Sequence, residues 1–337
     1  MENNFGCLTE EQYIHKFRVN NAVAFADPAN YGLEQNITTL TRVLKDVLRQ
    51  KFYTINVADF IPVEVGTGAY GKNLMQYTVA QVGSGFKAGI CQPGNGLNKD
   101  ANVDIVIDDV QIRNNYWRMK YSSTKEIVEM GKANAVPFSY IEEQERARLK
   151  EWQLGIQEVA FVGLGDGVTN GLLNQDNVTV NTSLMPASFK DMTIQQLQNF
   201  ATSAIYTYFA NTNATVFPNR MVIPTADMGA LGTPINPQYP IGTRKQYLED
   251  AFRQAGCPAD FKILHTVYNN NAGLNGTGRY VLYNKDADSL TMYIPKPYTP
   301  YPLYPTGALD MISDAEGQFT GVFAKRPQEI LYMDVTP

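Results

Sequence analysis

Gly66-Thr67-Gly68-Ala69-Tyr70-Gly71-Lys72 has the spacing of a phosphate-binding loop, whose amides cradle phosphates while the lysine contacts them. That chemistry also needs Ser or Thr after the lysine to hold magnesium, and a helix opening at that point. Asn73 follows instead, and Leu74 to Val82 alternates apolar and polar residues as a strand does. The segment reads as a glycine-hinged loop. Gly83-Ser84-Gly85-Phe86-Lys87-Ala88 fits a relaxed dinucleotide fingerprint, which again requires a helix N-terminus facing the pyrophosphate. Gly89 to Gly96, with Pro93, cannot supply that helix. Asn98, Asp100, Asn102 and Asp104 alternate like the start of a calcium loop, yet Val103 stands at the glycine position and no Glu fills the twelfth. They read as a solvated turn.

Acid–base and nucleophilic chemistry is short of parts. The two histidines are His15, in a segment with little periodicity, and His265, within a strand pattern. A Ser-His-Asp or Cys-His mechanism needs one of them beside a nucleophile, and no local pattern provides it. Asp108-Asp109 and Glu142-Glu143 could divide acid and base roles only if burial separated their pKa values. No catalytic residue, cofactor site or metal site is assigned, and the chain reads as a non-enzyme.

The elements that carry these residues point to architecture. Ser139 and Glu142 have capping-box spacing. Phe138, Ile141, Leu149, Trp152, Ile156, Val159 and Ala160 then recur at three- and four-residue steps, one buried stripe of a long helix over 137–160. Before it come a sparse arm (1–35), a short amphipathic helix at Thr38–Arg49 and a strand at Phe52–Val65. Gly66 to Asn102, rich in glycine around the alternating Leu74–Val82, predicts a β-ribbon projecting from the body. Val103–Ile112 resumes strand spacing, and a helix is expected at Lys125–Asn134. Beyond Asn174, helices are expected at Met192–Phe209 and Arg244–Ala255. Strands are expected at Met221–Pro224 and Phe261–Val267, a hairpin at Tyr280–Tyr293 and a closing strand at Phe319–Val335. The class is α+β.

Charged residues are only 18% of the chain, with 20 Tyr and 16 Phe among the remainder. Neutral polar and aromatic residues suit large contact surfaces, and equally a β-rich body. The net charge of −5 with no Lys/Arg run does not describe a nucleic-acid-binding face. No apolar run reaches the roughly 20 residues of a membrane span. The start at Met1 carries no signal-peptide pattern, and Cys7, Cys91 and Cys257 suggest no disulfide framework, so a reducing cytosol is expected.

The order of segments resembles the major capsid proteins of tailed bacteriophages, with their Hong Kong 97-type fold. Arg49-Gln50-Lys51-Phe52-Tyr53 leading into Phe60-Ile61-Pro62-Val63 is similar to the entry of that family's extended loop, and 66–102 to the loop itself. Tyr121 to Ile127 resembles the segment before the spine helix, and 137–160 the spine helix. Gly163 to Gly167 followed by Gly171-Leu172-Leu173-Asn174 resembles the turn after it, and Phe323-Ala324-Lys325-Arg326-Pro327 the closing strand.

The resemblance implies an N-terminal arm (1–35), a first helix and strand of the peripheral domain (36–63) and an extended loop (64–105). It further implies a peripheral domain with the spine helix (106–180), an axial domain (181–295) and return strands (296–337). It implies hexamers and pentamers tiling an icosahedral shell around double-stranded DNA, assembled in the host bacterial cytoplasm. DNA would be held weakly, and portal, scaffold or decoration proteins are further possible partners. Assembly candidates are Gly66, Gly68, Gly71, Lys72 and Lys87 in the loop, and the helix core is Phe138, Ile141, Leu149, Trp152 and Ile156. Some members cross-link a loop lysine, but no flanking sequence singles out Lys72, Lys87 or Lys99, and none is expected here. An encapsulin-type shell, a nucleotide-binding enzyme using Gly66 to Lys72, and a tail or decoration protein remain the competing readings.

Overall fold

Capped helices and half-buried strands follow one another along the chain. The computed structural model describes residues 50–83, 103–132, 140–236 and 239–336. The expected arm, the helix at Thr38–Arg49, Lys87, Lys99, the glycines around Cys91, Asn98 to Asn102, Phe138 and the Ser139 half of the capping box lie outside the described residues. One compact unit spans residues 52–135 and 139–337, and the contacts below lie within it.

The order begins α1 (Val57–Phe60), β1 (Val63–Val65), β2 (Asn73–Gly83), β3 (Val103–Arg113), β4 (Asn115–Thr124) and α2 (Lys125–Lys132). The long α3 (Tyr140–Phe161) precedes β5 (Val180–Asn181), α4 (Ile194–Thr212), β6 (Arg220–Pro224) and α5 (Thr225–Leu231). Next come β7 (Pro234–Asn236), β8 (Tyr239–Thr243), α6 (Arg244–Gln254), β9 (Lys262–Thr266) and β10 (Arg279–Tyr283). The chain closes with β11 (Leu290–Ile294), β12 (Lys296–Pro300), β13 (Tyr304–Pro305), β14 (Asp310–Phe319), β15 (Val322–Ala324) and β16 (Ile330–Asp334).

Two expected elements differ. Phe52–Val65 is not one strand, because the Asn56 side chain accepts the Ala58 amide at 3.2 Å and caps the turn α1. Tyr280–Tyr293 is not a hairpin either. β10 pairs with β6 and β16, whereas β11 joins β1 and β15 in another sheet.

The central sheet has the order β5-β16-β10-β6-β9, and every residue of β10 and β16 is buried. Alternation along β10 explains this. Tyr280 and Leu282 enter the core formed with α4, α5 and α6, while Val281 and Tyr283 enter the core that holds the end of α3 and Phe60. The C-terminal β16 therefore lies inside the sheet that the expected axial-domain boundary at 295 would separate it from. Buried tyrosines find carbonyl partners: Tyr283 donates to Phe60 O at 2.7 Å and Tyr208 to Glu329 O at 3.1 Å. Some of the tyrosine surplus thus serves the core.

A second sheet pairs β4 with β14 over ten residues, from Asn115 opposite Phe319 to Thr124 opposite Asp310. β12 and β13 line the other edge of β14. The 22 residues of α3 span about 33 Å. Trp152 packs edge-on to Trp117 and Phe319, at centroid distances of 5.2 and 6.0 Å. Gly317 on β14 lies under its ring, where any Cβ would overlap the indole. Leu149, expected in the buried stripe, is 36% exposed, and Arg148 is buried in its place. The Arg148 guanidinium donates to Ser313 O, Ser313 Oγ and Tyr298 Oη at 2.9 to 3.0 Å and pairs with the Glu145 carboxylate, which together satisfy the buried charge.

Trp152→Ala is expected to cost the subunit about 3–5 kcal/mol, against about 0.5 kcal/mol or less for Leu149→Ala at the surface. Chemical denaturation of both variants measures the difference, and equal losses would contradict this packing.

Candidate assembly surface

The ribbon is built from residues that favour strands. β2 and β3 pair in unbroken register from Asn73 opposite Arg113 to Gly83 opposite Val103. Its second strand therefore runs to Arg113, past the expected loop boundary at 105. Period-two alternation puts Met75, Tyr77, Val79, Ile107, Ile105 and Val103 on one face. All six are exposed, from 53% at Met75 to 73% at Val103. On the other face the foot is covered: Ile112 is buried, and Gln76 accepts the Tyr293 hydroxyl at 3.4 Å.

The glycine loop leads into this ribbon and opens no helix, which removes the phosphate-loop geometry. Gly66 and Gly68 have φ of 95° and 80°, values that favour glycine. The Gly71 carbonyl accepts from Asn114 Nδ2 at 2.8 Å and Tyr116 Oη at 3.2 Å, and the Lys72 side chain is exposed. Tyr70 also has positive φ, at 64°. Its amide donates to Gln318 Oε1 at 2.8 Å. Its hydroxyl donates to Glu316 at 3.4 Å and receives Lys296 Nζ, which also binds Glu316 and lies 4.6 Å from the Tyr70 ring centroid. The Lys296 and Tyr301 bonds hold the Glu316 carboxyl below its ordinary pKa.

Behind the ribbon, the turn after α3 caps that helix with backbone alone. Leu172 N and Leu173 N donate to Ala160 O and Phe161 O, at 2.8 and 2.9 Å, satisfying carbonyls a helix end leaves free. Gly171 lies so close to Phe161 that a Cβ would overlap its carbonyl carbon. Asn174 Oδ1 accepts the Gly171 amide at 2.6 Å. In the same turn the amides of Thr169 and Val168 bind Asp166 and hold its carboxyl below the usual range, with Arg113 of β3 at 3.4 Å adding to the effect.

Of the predicted helix core, Trp152 and Ile156 are buried and Ile141 is half-buried. His265 Nδ1 lies 3.3 Å from Thr225 Oγ1, and Asp108 and Asp109 are exposed on the ribbon. Among the described residues no group of three His, Cys, Asp or Glu could hold a metal, and no helix is long and apolar enough to cross a membrane.

A family model of major capsid proteins matches residues 94–335, most of the chain. The chain belongs to the major capsid protein family. The capsid protein is thus a structural component of a shell. Its fold matches the capsid of Myoviridae phage XM1 with a TM-score of 0.71 at 14% identity, covering 89% of this chain and 98% of that one. The capsid of a native GTA particle matches at 0.59 and 12% identity, over 93% of this chain and 100% of the other. Microbacterium phage Oxtober96 matches at 0.58 and 10% identity, with the same two coverages. These likenesses establish the Hong Kong 97-type fold. No individually curated protein matches the chain.

Sequence reasoning on the capsid protein found the ribbon and its glycines but missed Lys296, Glu316 and Gln318, which hold its base. They lie more than 220 residues from Tyr70. Their only local signal is a lysine between two prolines, Pro295 and Pro297.

Two glycine substitutions should have opposite signs. Gly171→Ala is expected to destabilise the subunit by about 1–3 kcal/mol or more through overlap with the helix end. Gly155→Ala, inside α3 with open space at its Cβ position, should stabilise it by about 0.4–1 kcal/mol. Melting curves of the two variants check both signs. Asp166 adds a pH dependence. Its folded pKa is depressed, so its stabilisation is complete above the unfolded carboxylate value and is lost as pH falls through the folded one. Asp166→Asn should flatten that acid limb of the stability profile.

Proposed function

We propose that copies of this chain tile an icosahedral shell as hexamers and pentamers around double-stranded DNA, burying the apolar face of the ribbon on one another. One observation carries this reading: Met75, Tyr77, Val79, Ile107, Ile105 and Val103 are all exposed on one ribbon face, beside Asp109 and Gln111, with no cover among the described residues, and Val82 and Val106 add exposed apolar surface on the other face. Full burial of such a side chain is worth about 1.5–3 kcal/mol, and contiguous exposed apolar surface of this kind marks an interaction site. Membership of a shell-forming family supplies the occupant, a second copy. In the family's terms, the sheet holding α3 is the peripheral domain and the central sheet with α4 to α6 the axial one. The net charge of −5 favours weak, sequence-independent contact with packaged DNA. Assembly in the host cytoplasm, with portal, scaffold or decoration proteins as further partners, completes the reading.

Ile107→Asp places a charge at the centre of that face without touching either core. The variant subunit should melt like the parent but elute as small species, with no closed particles in negative-stain micrographs. Normal shells from Ile107→Asp would remove the ribbon face from assembly.

A further inference from the structure

The ribbon's foot is held by buried Ile112 and by the Gln76–Tyr293, Asn114–Gly71 and Arg113–Asp166 contacts, and the loop that leads into it is fastened separately at Tyr70. Tyr70 is 63% exposed yet left-handed, a conformation a bulky residue keeps only when its surroundings impose it. What imposes it is a small polar cluster. Lys296 begins β12 and Glu316 lies in β14, so both belong to the sheet under α3. Lys296 reaches the Tyr70 hydroxyl and sits against its ring, Tyr70 reaches Glu316, and Gln318 takes the Tyr70 amide. Tyr301 also donates to Glu316, Arg118 stands opposite it on β4, and Asp314 is two residues away on the same strand. Before the cluster lie Gly66 and Gly68, both with positive φ, of which Gly66 is tied by its amide to Ile294 O at 3.0 Å. The β2–β3 ladder is internal to the ribbon, and a change in the ribbon's direction breaks none of it.

We propose that Lys296 and Glu316 form a latch on Tyr70 that fixes the path of the loop entering the ribbon and so, together with the contacts at the foot, the direction in which the ribbon leaves the body. Released, the segment from Gly68 to Gly71 is free to move, while the β2–β3 ladder and the run of β3 into β4 stay intact. Holding the ribbon in one direction lowers the entropy lost when its apolar face docks, so the latch presets the subunit for assembly. This consequence rests on the assembly reading above, but the latch itself is read on the free subunit, so either can fail alone.

Hydrogen exchange followed by mass spectrometry on the full chain tests it. Lys296→Met removes the amine and keeps the stem; Tyr70→Gly removes both the ring and the backbone strain, at an exposed site that does not threaten folding. Both should raise exchange at the Tyr70 and Gly71 amides by about tenfold or more, with β14 and the β2–β3 ladder unchanged. Unchanged protection at Tyr70 and Gly71 in the lysine variant would overturn the latch. Loss of protection spreading through β14 would overturn it too, because the cluster would then hold the fold and not the ribbon's direction.

Discussion

A buried guanidinium is the constraint on which the rest of the body depends. Arg279 opens β10 opposite Asp334 of β16, and their forked bonds are both 2.8 Å. The third arm of Arg279 donates to Leu173 O at 2.5 Å, and Asp334 also accepts the Leu274 amide at 2.9 Å. Arg279 lies 4.8 Å over Tyr332, whose hydroxyl donates to Leu172 O at 2.6 Å. The central sheet is thereby fixed to the turn that ends α3. Loss of either partner leaves a buried charge without compensation, a defect of about 3–5 kcal/mol. That turn in turn caps α3, α3 seats Trp152 and Arg148 on β4 and β14, and β14 carries Glu316 and Gln318 to the ribbon's base.

Body and ribbon are stabilised differently. The body has two cores, one on each face of the central sheet, and satisfies its buried tyrosines and arginines internally. The ribbon has a hydrogen-bonded ladder but no core on its apolar face, and two-stranded structures of that kind are marginal alone. A shell subunit that must be soluble before assembly and cohesive after it suits this division. The body carries the folding free energy, and the ribbon leaves apolar area uncovered, which the proposed assembly would bury.

Much of this was legible in the chain because it is local. Helical periodicity gave α3 with Trp152 and Ile156, and alternation gave the ribbon strands. The phrase from Gly163 to Asn174 was recognisable although its reason, close approach of Gly171 to the helix end, was not. What failed was decided by distant partners. Arg148 displaces Leu149 from the buried stripe because Glu145 pairs with its charge and Ser313, 165 residues later, accepts its hydrogen bonds. β10 and β11 separate into different sheets because β16 and β15 compete for them. Tyr70, Lys296 and Glu316 share no local pattern at all. Hydropathy describes transfer from water, and it does not encode which buried charge has found a partner.

The central claim is that copies of the chain bury the apolar face of the ribbon on one another. Electron cryomicroscopy of assembled particles, at a resolution that shows side chains, tests it most directly. The account predicts Met75, Tyr77, Val79 and Ile107 in van der Waals contact with another copy. A closed shell in which that face points into solvent would contradict it.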